Sequence, residues 1–293
     1  MTETQMPETQ LPQPATRLSP AQITNLANII RRAARSEILP RFRNLTEGQI
    51  SAKSGPEDLV TEADTAAEAM IARGILRIFP NAVVIGEESV AADPKLRIRA
   101  AEAELAFIID PVDGTWNFAK GVPLFGVILA ATRFGKPIFG LIYDPITDDW
   151  IWSSEDGPAL QSEVGLLPRT LSTSKTTDIA KMTGVVHLSL MPKDVQQKFA
   201  PLIPDFARIT GLRCSAHEYR LMAQGAFDFT LSSMLNPWDH AAGALITARA
   251  GGVARFLDGK DYDTATTEGT LLTAPSEATW TALRDKIAPA FGL

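Results

Sequence analysis

Between residues 82 and 154 the chain is cut into short apolar runs, AVVIG, LAFIID, LFGVILAATRF, PIFGLIYD and DWIWSS, bounded by Gly, Pro and Asp. That texture predicts strands. The pair flanking Gly135-Lys136 reads as a hairpin, so the sheet is at least partly antiparallel. Helices precede it. Ser19 can cap a helix that begins at Pro20, with Ile23, Leu26, Ile30 and Ala34 at three- and four-residue steps. A second helix follows Asp64, with Ala67, Ile71, Ile75 and Ile78 on one face and Pro80-Asn81 as its stop. The second half alternates: VVHLSL, AFDFTLSS, GVARFLD and TLLTA read as strands, and DVQQKFAPLIPDF, HEYRLMAQG, WDHAAGALITARAG and SEATWTALRDKIAPAF as helices.

This order predicts one layered α/β unit over residues 19–293, with two subdomains of about 19–155 and 156–293. A hydrophobic share of 45% over 293 residues suffices for a substantial core. Residues 1–18, rich in Thr, Gln and Pro, read as a mobile tail. Lys+Arg 28 against Asp+Glu 34 leaves a net charge of −6, which argues against nucleic acid or an anionic membrane as the main partner. The single cysteine, Cys214, excludes an intramolecular disulfide and a Cys-rich zinc site. With no export signal and no membrane-length apolar run, the expected location is the cytoplasm.

The chemistry sits in the acids. In LAFIIDPVDGTWNF, Asp110 and Asp113 lie beyond an apolar strand with Pro111 between them, which pulls the chain out of the ladder and lets both carboxylates turn to one point. Gly114 and Thr115 then offer N–H groups and a hydroxyl, a natural phosphate seat. Glu87 and Glu88 end the AVVIG strand, and Asp239 opens an Ala/Gly-rich helix. If Glu87, Asp110, Asp113 and Asp239 converge, their mutual repulsion requires cations. Mg²⁺ is the natural choice, because it prefers oxygen ligands and keeps room for water and phosphate. Two such ions about 3.5–4 Å apart stabilise both attacking and leaving oxygens.

GEES at 86–89, IIDPVDGTWNF at 108–118 and PWDHAAGALI at 237–246, with DLVTEAD at 58–64 upstream, resemble the acidic motifs of the inositol monophosphatase family of Mg²⁺-dependent, lithium-sensitive phosphatases. The resemblance runs from about Ser19 to the C-terminus and implies an αβαβα sandwich, a homodimer and hydrolysis of a small phosphorylated metabolite. It also implies two or three Mg²⁺ ions: Glu87, Asp110 and the Val112 carbonyl on the first, Asp110, Asp113 and Asp239 on the second, and Glu87 with Asp64 on a looser third. Asp64, Thr115, Glu87 and Asp113 form the implied catalytic set, Thr115 being bonded to Asp64 and orienting the water that attacks. The Gly114 and Thr115 N–H groups grip phosphate, Asp113, Asp239 and Ser215 are expected to contact the substrate, and Lys53 matches a loop lysine that approaches the site. A solvated loop lysine is the other reading of Lys53.

Two stretches depart from the family. Ser232 stands where animal members carry a glutamate before the Trp-Asp motif, and Arg213, His217, Glu218 and Arg220 replace the usual small-residue run. Arg213 suits a second phosphate or carboxylate, or a surface or dimer contact. His217 and Glu218 suit a polyol or amine, or a structural hydrogen bond; His240 touches the site or braces its helix; and Trp116 and Trp238 are expected to pack beneath the acidic loops. Inositol monophosphate, histidinol phosphate, bisphosphate nucleotides and sugar phosphates all stay open as substrates. Haloacid-dehalogenase-like phosphatases also end their motif in Asp-Gly-Thr, but they place one residue between two aspartates, whereas Pro111 and Val112 separate Asp110 from Asp113. No aspartyl phosphate is therefore expected. A different class of role is that of a binding factor in transcription complexes, as in some bacterial members of the family.

Overall fold

The computed structural model describes residues 17–55 and 58–293, with the side chains of Glu47, Lys53, Ser54 and Asp58 also outside the description. The expected mobile tail lies outside the described residues up to residue 16. Helix α1 (Pro20–Ala33) starts at the expected cap: Ser19 and Gln22 form a reciprocal capping box. A two-stranded ribbon, β1 (Ile50–Gly55) and β2 (Asp58–Thr61), leads into α2 (Glu62–Ile78). Thr61, not Asp64, caps α2; Asp64 is the third residue of the helix, and its carboxylate accepts the Thr61 N–H at 2.8 Å. The sequence reading therefore began this helix too late.

A seven-stranded sheet follows, built from β3 (Val83–Gly86), β4 (Ala106–Asp113), β5 (Gly126–Arg133), β6 (Lys136–Asp144), β7 (Asp149–Ser154), β8 (Leu160–Glu163) and β9 (Arg169–Thr170) in that order. Only β3 and β4 run parallel. Between β3 and β4 lie α3 (Glu87–Ala92) and α4 (Lys95–Glu102), and α5 (Thr115–Ala119) follows β4. Phe134 and Gly135, both at positive φ, make the two-residue turn of the β5–β6 hairpin, the backbone that matches strand twist.

The second sheet has the order β11-β10-β12-β14-β13, from β10 (Thr183–Val186), β11 (Arg208–Thr210), β12 (Phe229–Ser232), β13 (Val253–Phe256) and β14 (Leu271–Ala274). Its helices are α6 (Lys193–Phe199), α7 (Ser215–Ala223), α8 (Pro237–Arg249) and α9 (Glu277–Ile287).

Three cores stack these elements into five layers, αβαβα. Ile30 of α1 and Ile71 and Ile75 of α2 meet Phe107, Ile109, Leu129 and Leu141 on one face of the first sheet. The alternate residues Ile108, Ile128, Ala130 and Ile142 meet Tyr219 of α7 and Ala241, Ala242 and Ile246 of α8 on the other. Both faces are covered, which is why these strands read as unbroken apolar runs. The small residues of α8 permit close approach: a Cβ on Gly140 of β6 would lie 2.8 Å from the Ala242 backbone. On the far side of α7 and α8, Phe229, Leu231 and Leu272 of the second sheet pack on Trp280, Leu283 and Ile287 of α9 and Phe199 of α6. Among the described residues no helix is long and apolar enough to cross a membrane.

Candidate active site

The ladder between β4 and β5 pairs Asp110 with Ile128 and Asp113 with Gly126, so Pro111 and Val112 bulge opposite Val127 alone. The chain is thus displaced within the strand rather than released from it, since pairing resumes at Asp113. The Val112 N–H donates to Asp110 Oδ1 at 3.1 Å, which fixes one carboxylate on the bulge. The other carboxylate is fixed from across the fold. Asp113 Oδ2 accepts the Ala216 N–H of α7 and lies 3.1 Å from the Cys214 thiol.

Asp239, the third residue of α8, completes the group. One carboxylate oxygen from each of Asp110, Asp113 and Asp239 lies within 4.8 Å of the others, and Asn236 Nδ2 donates to Asp239 at 3.2 Å. Burial, then the charges of Glu87, Asp113, Asp239 and Asp64, push the Asp110 carboxyl well above its ordinary value. Burial and Asp239 raise Asp113 to about 7, against the pull of its Ala216 and Cys214 hydrogen bonds. Burial raises Asp239 to about 6, although the Asn236 hydrogen bond opposes it.

Two further acids come from α2, one turn apart. Asp64 lies beneath the cluster, its Oδ2 accepting from the Thr61 N–H and hydroxyl at 2.8 and 2.6 Å and its Oδ1 lying 3.2 Å from Thr115 Oγ1. Burial raises it to about 7. Glu68 was not singled out in the sequence, yet it accepts the N–H groups of Glu88 and Ser89 at 2.9 and 3.0 Å and so holds the start of α3, where Glu87 sits. Gly86 makes room for it, since a Cβ there would fall 2.3 Å from the Glu68 carboxylate. The only sequence signal for Glu68 was its place on the buried face of α2, four residues after Asp64.

Glu87, Asp110, Asp113 and Asp239 line a cavity of about 690 Å³ together with Gly114, Thr115, Trp116, Arg213, Ser215 and His187. Gly114 has φ +87, and a Cβ on it would meet the Leu124 carbonyl at 2.9 Å, so the start of α5 demands glycine. Asn117, also unremarked in the sequence, ties α5 to the loops before β5 and α7 by donating to the carbonyls of Leu124 and Leu212, both at 2.9 Å. The Arg213 guanidinium lies 4.3 Å from the Trp116 ring centroid, at a backbone φ of 56°.

Trp238 is buried in the core as expected, whereas Trp116 is half-buried in the cavity wall. His217 turns away: its ring bonds the Phe125 carbonyl at 3.1 Å. His240 braces its helix while touching the cavity, its Nε2–H donating to the Met234 carbonyl at 2.6 Å, which leaves Nδ1 to accept from the Tyr219 hydroxyl at 3.0 Å. Arg220 lies in a buried ion pair with Asp149, its Nη2 donating to both carboxylate oxygens at 2.7 and 2.8 Å and tying α7 to β7. The Lys53 side chain lies outside the described residues, although its backbone belongs to β1.

Residues 19–290 match the profile of the inositol monophosphatase family. The chain belongs to that family. It is 30% identical over 270 residues to the Nus factor SuhB of Haemophilus influenzae, covering 91% of this chain and 97% of the relative. It is 31% identical over 222 residues to an inositol-1-monophosphatase of Mesorhizobium japonicum, covering 74% and 79%. Its fold matches the crystal structure of inositol monophosphatase-II from Staphylococcus aureus with a TM-score of 0.76, covering 92% of this chain and 94% of that one at 23% identity. The family is one of metal-dependent phosphomonoesterases.

Proposed function

We propose that the protein is a Mg²⁺-dependent phosphomonoesterase that hydrolyses a small phosphate ester by direct attack of water. The observation that carries this reading is the convergence of Asp110, Asp113 and Asp239, with Glu87 and Asp64 beside them, in a setting that penalises the charges of all four aspartates. The donor set fits Mg²⁺: it offers only hard oxygens, and a cation between the carboxylates relieves the burial and repulsion that raise their pKa values. Asp110, Asp113 and Asp239, with Glu87, Asp64 and the Val112 carbonyl, would hold two or three ions. When bound, such ions supply charge neutralisation at the phosphoryl oxygens and a supply of ionised water near neutral pH.

The chain's own residues do the rest. Thr115 can give its hydroxyl proton to Asp64 Oδ1, at 3.2 Å, or to the Val112 carbonyl, at 3.0 Å, and keeps lone pairs that accept from a water and orient it. Asp64 is fixed for that task by the two Thr61 hydrogen bonds. The N–H groups of Gly114 and Thr115, at the start of α5, face the phosphate's place in the cavity wall in this reading, and Ser215 and Arg213 stand on the side of the alcohol. Phosphate release from a panel of inositol, sugar, histidinol and nucleotide phosphates tests the proposal. Release that needs Mg²⁺ and stops in EDTA is expected, with no phosphoenzyme trapped from labelled substrate; no release from any ester would refute it.

The identity with the Nus factor SuhB supports a second reading, a role as a factor in transcription complexes. Pull-down of transcription complexes with wild type and Asp113→Asn separates the two, because a binding role independent of catalysis survives that change.

A further inference from the structure

We propose that Leu59, Trp116, Leu190 and Met234 form an apolar subsite for the alcohol that leaves, which makes phosphate monoesters of aryl-bearing and alkyl alcohols the substrates. The proposal rests on the phosphatase reading above. All four residues line the cavity of about 690 Å³. Whole small-molecule sites span about 300–1,000 Å³. The cavity therefore has room for an alcohol of some size beside a phosphate held at the acids.

The apolar residues come from four segments, and three of them are tied to the supports of the acids. Trp116 follows Thr115, and Leu59 stands two residues before Thr61, whose N–H and hydroxyl hold Asp64. The Met234 carbonyl accepts the His240 Nε2–H at 2.6 Å, and His240 follows Asp239. Leu190 reaches the cavity from the short turn that follows β10. An alcohol leaving a phosphate held at those acids therefore has this wall within reach. Leu190 is 58% exposed and Met234 45%, while Leu59 and Trp116 are half-buried. Apolar side chains exposed singly are ordinary, whereas four gathered in one concave site leave a face that a ligand can cover.

Four polar side chains on the same wall are already engaged within the protein. His240 bonds through both ring nitrogens, Asn236 Nδ2 donates to Asp239, the Ser232 hydroxyl donates to the Met234 carbonyl at 3.1 Å, and His187 meets Glu218 at 2.9 Å. A polyol placed here gives up its hydration and meets partners that are taken, whereas an aryl or alkyl group only leaves water. The Trp116 ring already takes the Arg213 guanidinium at 4.3 Å from its centroid, and this pair adds stacking to burial for an aryl group.

Measurement of kcat/KM with Mg²⁺ for 2-phenylethyl phosphate, ethyl phosphate and glycerol 1-phosphate tests the subsite. All three are esters of primary alcohols, so their ratios report the body of the alcohol more than its ability to leave. Wild type is expected to favour 2-phenylethyl phosphate over each of the others about tenfold or more, chiefly through KM. Met234→Ser and Leu190→Ser should each lower the preference over ethyl phosphate severalfold; both side chains are exposed, and the bonds to the Met234 carbonyl are kept. Wild-type ratios near one, or a preference for glycerol 1-phosphate, would overturn the subsite while leaving the phosphatase reading in place, without any variant having to fold. Ratios unchanged in both variants, as when the esters fall in step from a merely structural role, would overturn it as well. Release from none of the three esters would overturn both the subsite and the phosphatase reading.

Discussion

Two groups of buried or half-buried aspartates in this protein have opposite electrostatic fates. At the β6–β7 turn, Asp148 receives both Arg31 and Arg35 at 2.7 Å and the Tyr143 hydroxyl at 2.8 Å, and the Arg31 hydrogen bond leads the causes that hold its carboxyl far below the ordinary range. Beside it, burial pushes Asp149 up, but the Arg220 charge and the hydrogen bonds of Thr147, Arg220 and Gln161 outweigh that and leave it lowered. At the end of β4, Asp110, Asp113 and Asp239 face one another, and all three are raised. The first group carries its own cations. In the second, neither Asp110 nor Asp113 has a cation of the chain to relieve it among the leading causes of its shift, and that difference is what the proposed metal site requires.

The largest effect that sharpens the contrast is on activity. Asp110→Asn or Asp239→Asn is expected to lower Mg²⁺-dependent turnover about a thousandfold or more while the folded state persists, because the change removes a repelling charge. Asp148→Asn should leave turnover near wild type, as measured by steady-state phosphate release. Next comes stability at the cation-bearing site. Arg220→Met leaves Asp149 buried without its partner and should cost about 3 kcal/mol in denaturant unfolding.

The third prediction concerns pH. The unfolded chain's aspartates lose their protons near pH 4. Folded Asp64 and Asp113 hold theirs to about 7 and Asp239 to about 6. Between these limits the folded protein binds more protons than the unfolded one, so cation-free stability falls as pH rises through that window. Thermal melts in EDTA should show a Tm that drops from pH 5 to pH 7.5. Mg²⁺ at about a hundred times its Kd should add roughly 2.7 kcal/mol and remove the drop. Asp148 has the opposite sign: its lowered carboxyl contributes stability above the ordinary carboxylate range and loses it as pH falls through the folded value. Since its side chain is about one-third exposed, solvent screens it, and Arg31→Ala should cost only about 1 kcal/mol at neutral pH.

The same contrast marks what the sequence could convey. The five apolar runs of the first sheet announced β3 to β7 because both faces of that sheet are covered, and the turn at Gly135 announced the hairpin. The acids were legible because each ends a strand or opens a helix. The polar strands β8 and β9, LQSE and RT, carry no apolar signal and owe their conformation to pairing at the sheet edge. His187 was hidden in VVHLSL, which reads as one strand; the strand stops at Val186, and His187 turns to meet Glu218 from a helix 31 residues on. Glu68 looked like any polar residue on α2, since its partners, the N–H groups of Glu88 and Ser89, are backbone atoms that no side-chain pattern reveals.

Binding of Mn²⁺ to the full chain, followed by electron paramagnetic resonance against Asp113→Asn and Asp239→Asn, tests the cation assignment most directly. Wild type should take up at least two ions per chain, and each variant should lose one or more of them. Equal uptake by all three proteins, or none by wild type at millimolar Mn²⁺, would contradict it.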